Sequence, residues 1–217
     1  MKELKEITSK SGLAIVLSKL KRFEKPKVRA EQYATDPEIA AELLWLMKMR
    51  GELDDKTIAD LGSGTGILGL GALLLGARRV FFVENDKEAM AVAEQNYQDL
   101  QKQGFELGEA VFLLQDVKKF GKNADIVVEN PPFGTRQEHI DRDFLETAFS
   151  AAPVVWSFHK SATERFVLAF AKDNRFAATD RIRYRFPLRA AHDFHTRRMH
   201  RIDVTLYRLE LQKSKDF

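Results

Sequence analysis

The chain has 217 residues, 44% of them hydrophobic and 31% charged, a balance that suits a folded globular protein and not a disordered one. It contains no cysteine, so disulfides, thiol nucleophiles and cysteine-ligated zinc are excluded. The net charge of +3 is unevenly spread: residues 1–29 carry +6, residues 181–201 carry another +6, and the remainder is −9. Basic ends around an acidic middle suggest a polyanionic partner held away from an acidic pocket. For the Lys-rich amino-terminal stretch, simple solubilisation is an equal reading; the arginines of the second cluster suit phosphate recognition. The first thirty residues carry Lys throughout and no long apolar run. That argues against a signal peptide or a membrane span and makes a cytoplasmic location the default. At this length one domain is expected over 1–217, with 1–35 as a basic amino-terminal extension.

The apolar pattern predicts a short amphipathic helix over Leu13–Leu20. Asp36 followed by Pro37 opens a second helix, with Ile39, Ala40, Leu43, Leu44 and Met47 on one face and Gly51 as its stop. From Thr57 strands and helices alternate. Strand Thr57–Asp60 leads to helix Gly66–Leu75, and strand Val80–Val83 to helix Asp86–Leu100, begun by a capping arrangement of Asn85 with Glu88. Strands follow at Ala110–Leu114 and Ala124–Val128, then a helix from about Asp143 to Ala151 and a strand Val154–Phe158. Ser161 and Glu164 read as a capping box opening a helix to about Asp173. Ile182, Tyr184 and Phe186 alternate with Arg181, Arg183 and Arg185, a strand with one face buried, and Ile202–Leu211 is the last strand.

Repeated strand-helix units with apolar strands imply an α/β, Rossmann-like, doubly wound and mostly parallel sheet. Only the loop from Pro187 to His200 separates the final two strands, so they are expected to pair as an antiparallel hairpin. Ligands of such sheets sit beyond the carboxyl ends of the strands, at the switch point.

Two segments there carry chemistry. The first, Asp60-Leu61-Gly62-Ser63-Gly64-Thr65-Gly66, runs from strand to helix, and its glycines allow sharp turns and close approach of a ligand. Glu84 ends the next strand, where a carboxylate can accept both hydroxyls of a ribose, and Asp116 ends the third, within reach of an adenine amino group. A dinucleotide loop would read G-x-G-x-x-G and favour an open helix amino terminus for pyrophosphate. A carboxylate beside the loop better suits a cationic, phosphate-free ligand, of which S-adenosylmethionine is one.

The second segment is Asn130-Pro131-Pro132-Phe133, directly after a strand. Its prolines make a rigid loop. An exocyclic amine conjugated to a ring is a poor nucleophile. The Asn130 side-chain oxygen and the Pro131 carbonyl could accept from both of its N–H groups and favour tetrahedral nitrogen, where positive charge develops as a methyl group arrives. Phe133 is expected to stack on the base.

Phe23-Glu24-Lys25-Pro26-Lys27, Glu31-Gln32-Tyr33-x-Thr35, the Asp60–Gly66 loop, Asn130–Gly134 and Ser157-x-His159-Lys160-Ser161 together resemble the small-subunit ribosomal RNA adenine N6-methyltransferase family (methyltransferase-like five). The likeness runs from Phe23 to the final strand. It implies a class I methyltransferase fold, S-adenosylmethionine as cofactor, and a flipped adenosine of structured ribosomal RNA as substrate. By the same resemblance Gln32, Thr35, Gly62, Gly64, Thr65, Gly66, Ile67, Glu84, Asp116 and Val117 contribute to the cofactor site beside Asp60, and Asn130, Pro131, Pro132 and Phe133 to catalysis. Cysteines that some relatives carry in the glycine loop are here Ser63 and Thr65, and the acid ending the second strand is Glu84, not Asp. The resemblance also implies a heterodimer with a small zinc-ribbon activator protein, paired to the edge strand at Glu109–Leu114. Val111, Phe112, Leu113 and Leu114 suit strand addition, and equally an ordinary strand core.

His192, His195 and His200 lack an acidic or thiol companion, so no metal site is assigned and a basic RNA-contacting loop with Arg197, Arg198 and Arg201 is preferred. Trp45 and Trp156 read as core. His159 and Lys160 either line the substrate side or lie on the surface. The rival functions are a glutamine-amide methyltransferase acting on protein, a DNA adenine methyltransferase, and a ribosome-assembly factor that acts by binding alone.

Overall fold

The computed structural model describes residues 5–22, 35–133, 140–188 and 200–213. Helix α1 (Lys10–Ser18) begins before the apolar pattern does, because the Ser9 hydroxyl caps it by accepting from the Gly12 N–H at 3.1 Å. A satisfied first turn lets Lys10 and Ser11 join the helix although both are exposed. Helix α2 (Pro37–Met49) starts as its sequence indicated, with Asp36 accepting from the Glu38 N–H and proline in the first turn.

Five strands, β1 (Thr57–Leu61), β2 (Arg79–Glu84), β3 (Glu109–Leu114), β4 (Ile126–Glu129) and β5 (Val154–Lys160), run parallel. Helices α3 (Ile67–Leu74), α4 (Lys87–Lys102), α5 (Ile140–Ala151) and α6 (Glu164–Asp173) lie between or after them. Strands β6 (Phe176–Leu188) and β7 (His200–Leu211) form the expected antiparallel hairpin, and β7 inserts next to β5. The resulting order is β3-β2-β1-β4-β5-β7-β6. Neighbours β1 and β4 are joined to the rest in opposite directions, so the carboxyl ends of these two strands flank the switch point.

Several boundaries differ from the sequence reading, each for a physical reason. Helix α4 is capped by Asp86, not Asn85: the Asp86 carboxylate accepts from the Glu88 and Ala89 N–H groups, while Glu84 accepts from those of Asn85 and Asp86. The capping box at Ser161 does not form. The Ser161 hydroxyl bonds that of Thr205 on β7 at 2.8 Å, and residues Ser161–Thr163 make a 3-10 turn leading into α6. Strand β6 extends back to Phe176, since Phe176, Ala177 and Ala178 pair with Leu211, Glu210 and Leu209 in spite of their weak strand preference. Strand β4 includes Glu129, a carboxylate buried at 0% exposure where the pattern had ended the strand at Val128.

The sheet is covered on both faces. Leu13, Leu17, Leu43, Leu44, Met47, Leu70 and Met90 from α1–α4 pack one side, against Ile58, Val80, Phe82 and Val128. Phe144, Leu145, Ala148, Val167 and Ala171 from α5 and α6 pack the other, against Ala59, Leu61, Val127 and Val155. Strand β6 behaves as its alternation implied, with Arg181, Arg183 and Arg185 exposed and Phe186 buried. Trp156 is fully buried and Trp45 partly so. Among the described residues no helix is long and apolar enough to cross a membrane.

One polar contact crosses from the turn after α2 to the far strands. Glu52 accepts from the Trp156 indole N–H at 2.8 Å and from the Arg208 Nε at 2.8 Å, with the Arg208 side chain 9% exposed. Glu52→Ala leaves a buried guanidinium and a buried indole donor without this acceptor, and is expected to cost about 3 kcal/mol. Thermal unfolding checks this; a loss below about 0.5 kcal/mol, the range of an ordinary surface substitution, would show that water replaces the carboxylate.

Candidate active site

The glycine loop is held by backbone groups at the end of β2. The Val83 carbonyl accepts from the Gly62 and Ser63 N–H groups at 2.9 and 3.0 Å, and Glu84 Oε2 accepts from the Gly64 N–H at 2.9 Å. Gly62, Gly64 and Gly66 all have positive φ, at 67°, 54° and 86°, which is strained for any residue with a side chain. At Gly62 a Cβ would also lie 2.9 Å from the Phe144 ring of α5, so in the structure it is this ring that crowds the position.

The cofactor residues inferred from the sequence fall into three groups. Gly62, Gly64, Thr65 and Gly66 form the loop, and Ile67 is the half-buried first residue of α3. Glu84 ends β2, and Asp116 follows β3, where it caps the 3-10 turn Val117–Lys119 by accepting from the Lys118 N–H at 2.9 Å. Asp60 is turned away to a scaffold position: its Oδ2 accepts from the Gly69 N–H at 2.8 Å, and its carboxyl is 1% exposed. Thr35 meets the second segment, its hydroxyl accepting from the Asn130 Nδ2 at 2.9 Å. Gln32, and with it residues 23–34, 134–139 and 189–199, lies outside the described residues.

At the end of β4, Asn130 Oδ1 is buried and has no hydrogen-bond partner among the described residues, while Nδ2 is fixed by Thr35. The rotamer is therefore set with the acceptor left over. Phe133 departs from expectation. Its ring is 4% exposed and packs edge-on against Phe186 with centroids 6.0 Å apart, a buried support and not an open stacking surface.

Two residues, Asn96 and Glu129, escaped the sequence reading. Asn96 of α4, 2% exposed, donates to the Thr65 carbonyl and both donates to and accepts from the Lys21 backbone, so it ties the end of the amino-terminal helical segment to the glycine loop. Its signal was available: an Asn at the apolar spacing of Ala89, Ala93 and Leu100 must find partners in the core. Glu129 accepts from Ser157 Oγ at 2.7 Å, and Ser157 Oγ also lies 2.7 Å from His159 Nε2. His159 is 1% exposed, which decides the open question of its placement in favour of the interior.

S-adenosylmethionine is a polar cation, and the residues present fit it. Three positive-φ glycines bring backbone close, Glu84 and Asp116 stand at successive strand ends, and the buried Ser63 Oγ and Asn130 Oδ1 have no partner among the described residues.

Burial dominates the electrostatics. It raises the Asp60 carboxyl to about 7, opposed by the Gly69 N–H and reinforced by Glu84. It raises Glu129 to about 8, opposed by Ser157 and reinforced by Asp141 and Asp60. Both native values exceed the unfolded ones of 3.8 and 4.5, so the stability these groups contribute is complete at low pH and is lost as pH rises through their native values. Stability is therefore expected to fall by on the order of a few kcal/mol as pH rises from about 4, where these carboxyls ionise in the unfolded chain, and to level off above about pH 8. Asp60→Asn keeps an acceptor for Gly69 and should flatten that fall; an identical pH dependence of unfolding in the variant would mean Asp60 is ionised in the native protein.

Comparison with known proteins agrees with this arrangement. The family model of the Methyltransferase small domain matches residues 35–155. The rRNA N(6)-adenosine-methyltransferase METTL5 of Danio rerio is 33% identical over 213 residues, covering 95% of this chain and 98% of its own. The corresponding protein of Drosophila melanogaster is 32% identical over 87% of this chain and 90% of its own. Among solved structures, PH1948 of Pyrococcus horikoshii, described as a candidate RNA methyltransferase, superposes with a TM-score of 0.83 at 42% identity, covering 94% of this chain and 99% of that one. The magnesium protoporphyrin IX methyltransferase of Synechocystis with bound S-adenosylmethionine, 15% identical with a TM-score of 0.65 over 81% of this chain and 79% of its own, shares the fold alone. A family match over more than half the chain, together with near end-to-end identity of about one third to METTL5 proteins, makes this chain an S-adenosylmethionine-dependent methyltransferase of the small-domain family, in its METTL5-like branch.

Proposed function

We propose that the chain methylates the N6 amine of an adenosine in small-subunit ribosomal RNA. The observation that carries this reading is the buried Asn130 Oδ1, an acceptor without a partner among the described residues, on an amide whose other end is fixed. A buried acceptor left over in the protein is complementary to a donor brought by the substrate. The amine of adenine brings two N–H groups, for Asn130 Oδ1 and the Pro131 carbonyl.

When bound, S-adenosylmethionine supplies an electrophilic sulfonium methyl. Glu84, Asp116 and the Gly62–Gly66 loop would hold it, with Gln32 and Thr35 of the amino-terminal extension completing its site. Asn130 and Pro131 would hold the amine pyramidal, and their oxygens interact most strongly when nitrogen carries positive charge, so they lower the barrier more than they strengthen binding. Asn130→Ala should then reduce methyl transfer about a hundredfold or more while cofactor affinity by calorimetry changes little. Near-normal turnover in this variant would make the 130–133 turn structural.

Ribosomal RNA as substrate is supported by the names of the relatives and by the charge split, to which the exposed Arg181, Arg183 and Arg185 of β6 belong. Phosphate contacts release counterions, so affinity for RNA should fall steeply with salt, and charge reversal at Arg197 and Arg198 should lower it across sequences and flatten the slope. Affinity insensitive to salt, or preference for a peptide substrate, would favour the glutamine-amide reading instead.

A cytoplasmic heterodimer with a zinc-ribbon activator completes the proposal. Strand β3 supports it as an edge strand, half exposed along its length, with Leu114 52% exposed. Phe112 stacks on Phe82 at 4.8 Å, so a charge there would damage the core; Leu114→Lys is the cleaner probe. It should abolish co-purification of the partner without loss of folding. Undiminished co-purification would move the interface off β3.

A further inference from the structure

Glu129, Ser157 and His159 face the same side of adjacent strands, toward α5, because Glu129 pairs in register with Ser157 and His159 lies two residues on. Asp141, in the first turn of α5, approaches the far side of the imidazole, with Oδ2 3.9 Å from His159 Nδ1. The row thus spans from the strand end that presents Asn130 to the start of α5. Two of its atoms, Glu129 Oε2 and His159 Nδ1, are buried with no hydrogen-bond partner among the described residues. Four such groups at 0–21% exposure are too costly to keep as packing alone.

We propose that Glu129, Ser157, His159 and Asp141 form a buried brace that fixes the ends of β4 and α5 to β5 and shares one proton, and that Ser157 and His159 are positioning residues for Asn130. This rests on the reading that Asn130 acts on the substrate amine.

Hydrogen counting decides how the row is held. Ser157 has a single hydroxyl hydrogen but lies 2.7 Å from two partners, so one of them must supply the second hydrogen. In one arrangement Glu129 Oε1–H donates to Ser157, and Ser157 donates to His159 Nε2, with hydrogen on Nδ1. In the other, the Glu129 O–H bond has broken and an O–H bond to Ser157 has formed, while the former Ser157 O–H bond has broken and an Nε2–H bond has formed. Both arrangements hold the same number of protons and keep every contact; the second places an imidazolium beside Asp141. Removing the shared proton leaves a bare carboxylate at Glu129 and a neutral imidazole whose Nδ1 lone pair faces Asp141. Both inner hydrogen bonds survive, with Nε2–H donating to Ser157 and Ser157 to the carboxylate. Glu129 is then a buried charge without a counter-charge among the described residues, and the Nδ1 lone pair repels Asp141, so the brace is weakened. Burial raises the Glu129 carboxyl to about 8, which puts that weakening above neutral pH. The other titratable or charged groups facing the row, among the described residues, are Asp60 from β1 and Tyr207 from β7, with its ring 6.1 Å from that of His159. Behind Tyr207 stand Glu164 of α6 and Arg181 and Arg183 of β6.

The test combines turnover with spectroscopy of the whole chain. The kcat for RNA methylation in the unaltered protein should fall on the alkaline side of about pH 8, and Glu129→Gln, whose amide donates to Ser157 at every pH, should lack that limb. Ser157→Ala should lower kcat about tenfold with cofactor Kd and RNA KM within about twofold, and Ser157→Thr should recover most of the loss. Nitrogen-15 spectra of the His159 ring should show the same alkaline step, absent in Glu129→Gln. Ser157→Ala with unaltered kcat and pH profile, or a His159 ring indifferent to Glu129→Gln, overturns the brace. If Ser157→Ala does not fold, the Thr and Gln variants decide by the same criteria. Absence of RNA methylation in the unaltered protein would overturn the adenosine reading, while the His159 spectra would still decide the brace.

Discussion

A polar atom taken out of water must find a partner in the protein or in a ligand, and that requirement organises the carboxyl edge of this sheet. Asp60, Glu129, Ser157 and His159 are each at most 1% exposed there, on three different strands. Asp60 spends one oxygen on the first turns of α3, Glu129 reaches across to β5, and Ser157 connects Glu129 to His159. These contacts are made between neighbouring strands, so they hold only in one register. For Asn130 Oδ1, next along from Glu129, the same requirement is unmet among the described residues.

Catalysis by preorganisation needs that rigidity. Acceptors that favour charge on an incoming nitrogen gain their advantage by not having to move during the reaction. Here the Asn130 amide is held from Thr35 on one side, while the strand that carries it is locked beside β1 and β5. The glycine loop is held just as firmly, by Val83 and Glu84, and is joined through Asn96 to the backbone at Lys21. The two halves of the site are therefore connected through the sheet and through segments that precede it in sequence.

Under the proposed function, the acidic residues in the middle of the chain and the arginines of its carboxyl-terminal strands meet different ligands. In the proposed site a cationic cofactor would be met by Glu84 at the end of β2 and Asp116 just after β3, beyond the carboxyl ends of the strands. A polyanion is better served by exposed guanidinium groups on β6, at the far edge of the sheet from β3. Separating the two prevents phosphate and carboxylate from competing for one pocket. It also leaves β3, the other edge, open to an unrelated contact.

Local chemistry made much of this protein readable from its residues. Helix α2, the five parallel strands, the hairpin and the strand-to-helix loop at Gly62–Gly66 follow from periodicity, proline, glycine and an Asp cap, all of which act within a few residues. The Asn130–Phe133 turn was legible for the same reason, since proline restricts the backbone wherever it stands. What sequence could not reveal depends on residues far apart in the chain. Glu129 drew no notice beyond a strand taken to end at Val128, until Ser157, 28 residues later, came within hydrogen-bond distance of it. Ser161 read as a helix cap until Thr205 claimed its hydroxyl, and Phe133 as an open platform until Phe186 packed against it. A side chain with two chemically reasonable partners chooses between them by distance, and only the tertiary structure sets that distance.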